Sequence, residues 1–309
     1  MQSEILHLKK KKDIIILAHY YQPIEIQEIA DFLGDSLGLS RKAKDAESKK
    51  YIIFAGVDFM AETASIINQD KHILLPNYES CCPMAAFLTP EKVREFKRKY
   101  PRLPAVVYVN STAATKAECD ICCTSSNAVK IVEKIREDYN SEAVLFGPDA
   151  NLADYAEQKS NIKTVKMPQE GHCYVHSQIT PEDIDIVRKK YPNAKLLVHP
   201  ECVRQVRDLA DFVGSTAQMY NYAKEYTSKN QEFIIGTEIG LLERMSQDFP
   251  NNNFYPARSK LICYNMKKHN LELIKYLLEH PDDKKHEVKV PPEIAKKAIT
   301  PIEKMLKYS

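Results

Sequence analysis

Cys82, Cys173 and Cys263 lie 91 and 90 residues apart in the chain. Each closes one copy of a repeated sequence pattern. If the copies pack around a three-fold axis, the three thiols converge on one point. Three soft thiolates suit a metal or an iron–sulfur centre and leave one coordination position open. An open position on a metal is where a substrate is bound and polarised. Cys81 abuts Cys82, and spacing alone does not choose between them. The remaining cysteines read differently. Cys119-x-x-Cys122 has knuckle-like spacing, but no second pair or histidine pair follows, so a packing role is expected for these and for Cys123. Cys202 has no counterpart in the other copies.

Further polar residues recur in the same register. His19, Asn110 and His199 follow apolar runs at offsets of 91 and 89. Each is followed by a small hydroxyl in a turn-like segment: Ser36 in Gly34-Asp35-Ser36, Ser125 in Cys123-Thr124-Ser125-Ser126, and Thr216 in Gly214-Ser215-Thr216. If these segments open helices, free backbone N–H groups and hydroxyls make anion sites. Taken singly, a histidine after a strand is usually structural, a buried cysteine is usually inert, and Gly-Ser-Thr is usually a turn. Three register-matched sets point instead to one shared pocket for a small, multiply anionic ligand beside a metal.

The elements that must position these residues are legible as repeats. Thr89-Pro90-Glu91 and Thr180-Pro181-Glu182 read as helix starts, with threonine caps and proline at the first helical position. Each helix is expected to end at its Tyr-Pro, Tyr100-Pro101 or Tyr191-Pro192. Apolar, unalternating strands follow at 14–18, 105–109 and 195–198, then at 51–55, 143–146 and 233–235. Short third strands are expected at 73–75, 164–167 and 254–255. Such strands belong to parallel sheets covered on both faces, so the fold class is α/β. The expected architecture is three similar three-layer α/β/α units, 1–85, 86–176 and 177–266, around a pseudo-three-fold axis. Ligands of such sheets bind outside the carboxyl ends of the strands. The tail, 267–309, is expected to dock on the first unit, with Thr300-Pro301 resembling the helix starts at 89 and 180.

Composition removes several function classes. There are 44 basic and 42 acidic residues, interspersed, so no nucleic-acid partner is expected. No apolar run approaches the ~20 residues that span a bilayer, and Lys9 to Lys12 interrupt any leader-like stretch. The expectation is a cytoplasmic protein without disulfides. Only 8 glycines are present and no phosphate-cradling glycine motif follows a strand, which weighs against a dinucleotide or ATP enzyme.

Longer motifs are more specific. Leu17-Ala18-His19-Tyr20-Tyr21-Gln22-Pro23, Ala30 to Ser36, Gly56 to Ala64, Tyr108-Val109-Asn110, Thr124 to Ala128, His199-Pro200-Glu201-Cys202 and Gly214-Ser215-Thr216 together resemble the quinolinate synthase family. The resemblance covers residues from about 13 to 266. It implies a [4Fe–4S] cluster held by one cysteine per unit. Cys82-Pro83-Met84-Ala85 fits the family's first ligand context better than Cys81, although Pro83 replaces a serine; Cys173 and Cys263 fit the other two. It implies condensation of iminoaspartate with dihydroxyacetone phosphate to quinolinate, phosphate and water, in NAD biosynthesis. His19, Ser36, Tyr108, Asn110, Ser125 and Thr216 match the family's substrate-holding positions; Tyr21, His199 and Glu201 match its acid–base group. A transient contact with L-aspartate oxidase is a further implication. The competing readings are a three-cysteine zinc enzyme on the same scaffold and a metal protein without turnover.

Overall fold

The computed structural model describes residues 1–46, 49–227 and 230–309. The first unit runs α1 Gln2–Lys12, β1 Ile14–His19, α2 Ile24–Ile29, β2 Phe32–Gly34, α3 Ser36–Asp45, β3 Tyr51–Ala55, α4 Asp58–Ile67 and β4 His72–Leu74. The second repeats it: α5 Pro90–Lys99, β5 Ala105–Tyr108, α6 Ala113–Lys116, β6 Ile121–Cys123, α7 Ala128–Tyr139, β7 Ala143–Gly147, α8 Ala150–Ser160 and β8 Lys163–Lys166. The third is α9 Pro181–Lys190, β9 Lys195–Val198, α10 Arg204–Arg207, β10 Phe212–Val213, α11 Thr216–Lys224, β11 Glu232–Gly236, α12 Ile239–Asp248 and β12 Asn253–Pro256. The tail adds α13 Leu271–Glu279 and α14 Pro292–Tyr308.

Each sheet has four strands in the same order, β2-β1-β3-β4, β6-β5-β7-β8 and β10-β9-β11-β12. All pairs are parallel. The strands β2, β6 and β10 were not expected from the sequence. They are two or three residues long, too short for any periodicity to register. Their effect is large, because they place a topological switch beside β1, β5 and β9. The chain leaves these strands toward one side and returns to the other, opening a crevice at their carboxyl ends.

The central strands are buried along their length, Ile16, Leu17 and Ala18 on β1 and Val106 and Val107 on β5 among them, which is why they are apolar without alternation. Thr89 and Thr180 cap α5 and α9 through their side chains, and those helices stop at Tyr100 and Tyr191. No helix among the described residues is long and apolar enough to cross a membrane.

The tail divides. Helix α13 packs against α1, and Glu287 bridges Leu74 of β4, so this stretch lies on the first unit. Helix α14 instead lies across β6 and α6 of the second unit, also touching α4 and α7. Thr300-Pro301 does not start a helix; Pro301 is inside α14, which begins at Pro292. An interior proline costs about 3 kcal/mol. Ala298, Pro301, Ile302 and Met305 form one buried stripe, and full burial of Ile302 and Met305 contributes about 1.5–3 kcal/mol each. Burial therefore outweighs the lost hydrogen bond.

Candidate active site

The strand ends of all three sheets open into one pocket. It is lined by His19, Tyr21, Ser36, Cys82, Tyr108, Asn110, Ser125, Cys173, His199, Glu201, Thr216 and Cys263. Those are all twelve site residues expected from the sequence. Cys82 lines the pocket, whereas Cys81 is exposed at the surface. Cys119, Cys122 and Cys123 are buried in the apolar core under α14, away from the pocket lining. One placement differs from expectation. Ser36 and Thr216 open α3 and α11, but Ser125 precedes its helix, in the turn capped by Asn127.

One wall carries the thiols. Each cysteine stands at or just before a single tight helical turn: Pro83–Phe87, His176–Gln178 or Met266–Lys268. Backbone N–H groups of these turns donate to the sulfurs, from Met84 to Cys82, from His176 to Cys173 and from Met266 to Cys263. Burial pushes all three thiols up, and the nearness of the others adds to it for Cys82 and Cys173. As free groups they are neutral; a bound cation would deprotonate them. Three converging soft donors already supplied with N–H hydrogen bonds suit an iron–sulfur centre.

A second stretch of the lining, which comes within 4.8 Å of the Cys173 sulfur at His176 and Glu201, carries proton-holding groups. His19 Nδ1 accepts from Tyr21 N at 3.1 Å, and His199 Nδ1 accepts from Glu201 N at 3.3 Å. That assigns the proton to Nε2 in both rings. His199 Nε2 reaches Ser125 Oγ at 3.2 Å. Burial holds both imidazoles down at about 3, aided by Lys267 near His19 and by His176 near His199. Both are neutral N–H donors at ordinary pH. Burial works to raise Glu201, but any proton that His199 takes up, His176 and the Tyr108 hydroxyl favour the ionised carboxylate and hold it below its ordinary value. Asn110 Oδ1 is buried without a partner among the described residues, as a group awaiting a ligand would be.

Two residues escaped the sequence reading. His176 Nδ1 stands 2.7 Å from Glu201 Oε2, and its Nε2 stands 2.8 Å from Thr237 Oγ1. Thr237 Oγ1 is 2.6 Å from the Tyr21 hydroxyl. An ionised Glu201 keeps the His176 proton on Nδ1, so Nε2 accepts from Thr237, which accepts from Tyr21. Burial raises Tyr21 well above its ordinary value, so it is a neutral donor. The result is a directional pair of bonds, Tyr21 to Thr237 to His176, with the His176 Nδ1 2.7 Å from the Glu201 carboxylate but not aligned to it as a hydrogen bond. The available signal was register: Thr237 is the polar residue where the other copies have Val57 and Pro148.

Fold and pocket together define a class: an α/β enzyme of three repeated units, whose single shared pocket pairs three thiols with a proton-carrying network. A family model described as quinolinate synthetase A protein matches residues 3–307. The chain is similar to the quinolinate synthase of Thermotoga maritima, 48% identical over 99% of this chain and 98% of that one. It is also similar to the quinolinate synthase of Pyrococcus abyssi, 48% identical over 99% of both chains. The enzyme of that name from Methanothermobacter thermautotrophicus is 47% identical over 100% of this chain and 98% of its own. The chain belongs to the quinolinate synthetase A family.

Proposed function

We propose that this chain condenses iminoaspartate with dihydroxyacetone phosphate to form quinolinate, phosphate and water. The carrying observation is one pocket lined by Cys82, Cys173 and Cys263 together with Tyr21, His176 and Glu201, with Thr237 joining Tyr21 to His176. When bound, a [4Fe–4S] cluster on the three cysteines would supply one iron without a protein ligand, a Lewis acid for a carboxylate and a nitrogen.

The chain's own residues do the rest. The Nε2–H groups of His19 and His199, and the hydroxyls of Ser36, Ser125 and Thr216, hold carboxylate and phosphate oxygens. Two of these hydroxyls begin helices, where free N–H groups add to the anion site. Asn110 and Tyr108 fix the ligand from the second unit. Enolisation, dehydration and ring closure each move a proton. Tyr21 takes a proton from the substrate on its oxygen as its own hydroxyl proton passes to Thr237 and that of Thr237 passes to His176, which then stands as a cation beside the Glu201 carboxylate; the same path in reverse returns the proton. Holding both substrates in one enclosed site supplies proximity. The reading includes a cytoplasmic setting and a supply of iminoaspartate from L-aspartate oxidase, both resting on the family's chemistry.

A zinc enzyme is the rival, because Cys173, His176 and Glu201 offer donor atoms within 4.8 Å of one another. One experiment separates them. The chain is purified anaerobically, iron, sulfide and zinc are counted, and both substrates are supplied. Iron and sulfide near four each per chain, with quinolinate and phosphate formed one to one, support the proposal. One zinc per chain, or no quinolinate from the iron-loaded protein, overturns it.

A further inference from the structure

Behind the cysteine wall lies a second three-fold set that the reaction does not use. Gly56-Val57-Asp58, Gly147-Pro148-Asp149 and Gly236-Thr237-Glu238 follow β3, β7 and β11 in matching register. Each carboxylate accepts from the backbone N–H of the cysteine of its own unit. Asp58 Oδ1 takes Cys82 N at 3.2 Å, Asp149 Oδ2 takes Cys173 N at 3.0 Å, and Glu238 Oε1 takes Cys263 N at 3.2 Å. The same side chains accept from the first turn of the following helix, from Phe59, Leu152 and Gly240, each at 2.7 Å.

A second bond runs beside each one. The carbonyl two residues before each cysteine, on Ser80, Gly171 or Leu261, accepts from a helix-start N–H, on Asp58, Ala150 or Ile239, at 2.8 to 2.9 Å. Each cysteine loop is thus fastened at two points, one of them through a carboxylate. Where the second loop is fastened there is no slack. A Cβ on Gly171 would lie 1.9 Å from Pro148 O.

The three copies differ in a way that ranks them. Asp149 and Glu238 are fully buried and use both oxygens; Asp58 is half-buried and uses one oxygen for both bonds. Among the described residues Glu238 is the one of the three in an ion pair, with Lys267 at 3.1 Å, while Lys116 acts on Asp58 without pairing with it. A helix cap needs no cysteine partner, as Thr180 shows on α9. Asp149 and Glu238 cap their helices and Asp58 is the first residue of its own, yet all three accept from a cysteine N–H, which capping does not require. A carboxylate that fixes where a ligand-bearing loop stands does require it.

We infer that Asp58, Asp149 and Glu238 are positioning residues that hold the three cysteine loops at the spacing of a bound cluster. The inference rests on the cluster reading above. It is tested with Asp149→Asn, Asp58→Ala and Asp58→Glu, and with Thr180→Ala as a cap control outside the set. Each protein is reconstituted anaerobically. Iron per chain, the rate of iron release to a chelator and the melting temperature of the cluster-free form are measured.

At Asp149, where each oxygen takes one bond, an asparagine cannot accept both without turning its amide N–H₂ toward one donor. At Asp58 one oxygen takes both bonds, so the acceptor is removed with alanine. Asp149→Asn should release iron about tenfold faster than the parent, and Asp58→Ala less so. Asp58→Glu, which copies Glu238, should release iron more slowly than Asp58→Ala. Thr180→Ala should lower the melting temperature while releasing iron at close to the parent rate. Release at the parent rate in Asp149→Asn overturns the inference, as does equal acceleration in the cap control. Should Asp149→Asn fail to fold, parent-like release in Asp58→Ala overturns it instead. A parent chain that takes up no iron would sink the cluster reading itself, a separate outcome.

Discussion

The two walls of the pocket have aged differently. The cysteine wall keeps its three-fold repeat: a glycine, a carboxylate two residues on, a cysteine and one tight turn, three times over. The strand-end wall has diverged. His19, Asn110 and His199 hold equivalent positions, and only the third unit adds a carboxylate at Glu201. A cluster presents equal faces and wants equal donors. A substrate with a carboxylate, a phosphate and carbons that must exchange protons wants different groups at each place. The same scaffold served both by holding one wall constant and varying the other.

Breaking the constant wall should have the largest effect. Cys173→Ser removes one of three donors, so the reconstituted protein should lose its brown chromophore and most of its iron. An unchanged visible spectrum would take Cys173 out of the ligand set. Breaking the varied wall should separate binding from turnover. Glu201→Gln should keep iron per chain at the parent value while turnover falls by roughly 10²–10⁴-fold, the usual range for a proton carrier. Normal turnover would remove Glu201 from the chemistry.

The smallest effect concerns acid. His269 lies behind the cysteine wall, where Nε2–H donates to Gly56 O at 2.5 Å and Nδ1 accepts from Asn77 N at 3.2 Å. Burial holds it down at about 4 from an ordinary 6.5. A depressed folded value means its stabilisation is complete above 6.5 and is lost as pH falls toward 4. The full difference is about 3 kcal/mol. His19 and His199 are held lower, at about 3, so they add the same slope above pH 4 and continue to cost stability below it. Melting temperature followed from pH 7 to 4.5 should fall less steeply in His269→Gln than in the parent. Parallel slopes would show that His269 does not contribute to the acid sensitivity.

Much of this was written locally in the chain. Thr89 and Thr180 announce their helices, and the apolar runs at β1, β5 and β9 announce buried parallel strands, because caps and strand burial depend on near neighbours. Register pointed to the cysteines, His19, Asn110, His199, Ser36, Ser125 and Thr216, and the family motifs added Tyr21, Tyr108 and Glu201 and chose Cys82 over Cys81; all twelve line one pocket. What escaped depends on distant partners. His176 looks like one more residue after a cysteine until Glu201 and Thr237 come to either side of it. Asp58, Asp149 and Glu238 look like ordinary helix caps until the cysteine loops return to them. Pro301 looks like a start because its burial under the second unit cannot be read from Thr300-Pro301 alone.

The placement of α14 has a consequence for the order of assembly. On the ribosome, β6 emerges roughly 170 residues before the helix that covers it. Domains generally fold as they are made, from the N-terminal end. Here the middle unit must wait, its apolar flank and the buried thiols of Cys122 and Cys123 open to solvent, until residues 292–308 arrive. The pocket draws Ser125 from the turn just after β6. Until α14 is made, the stretch from β6 to Ser125 that feeds the pocket stands without the helix that covers it.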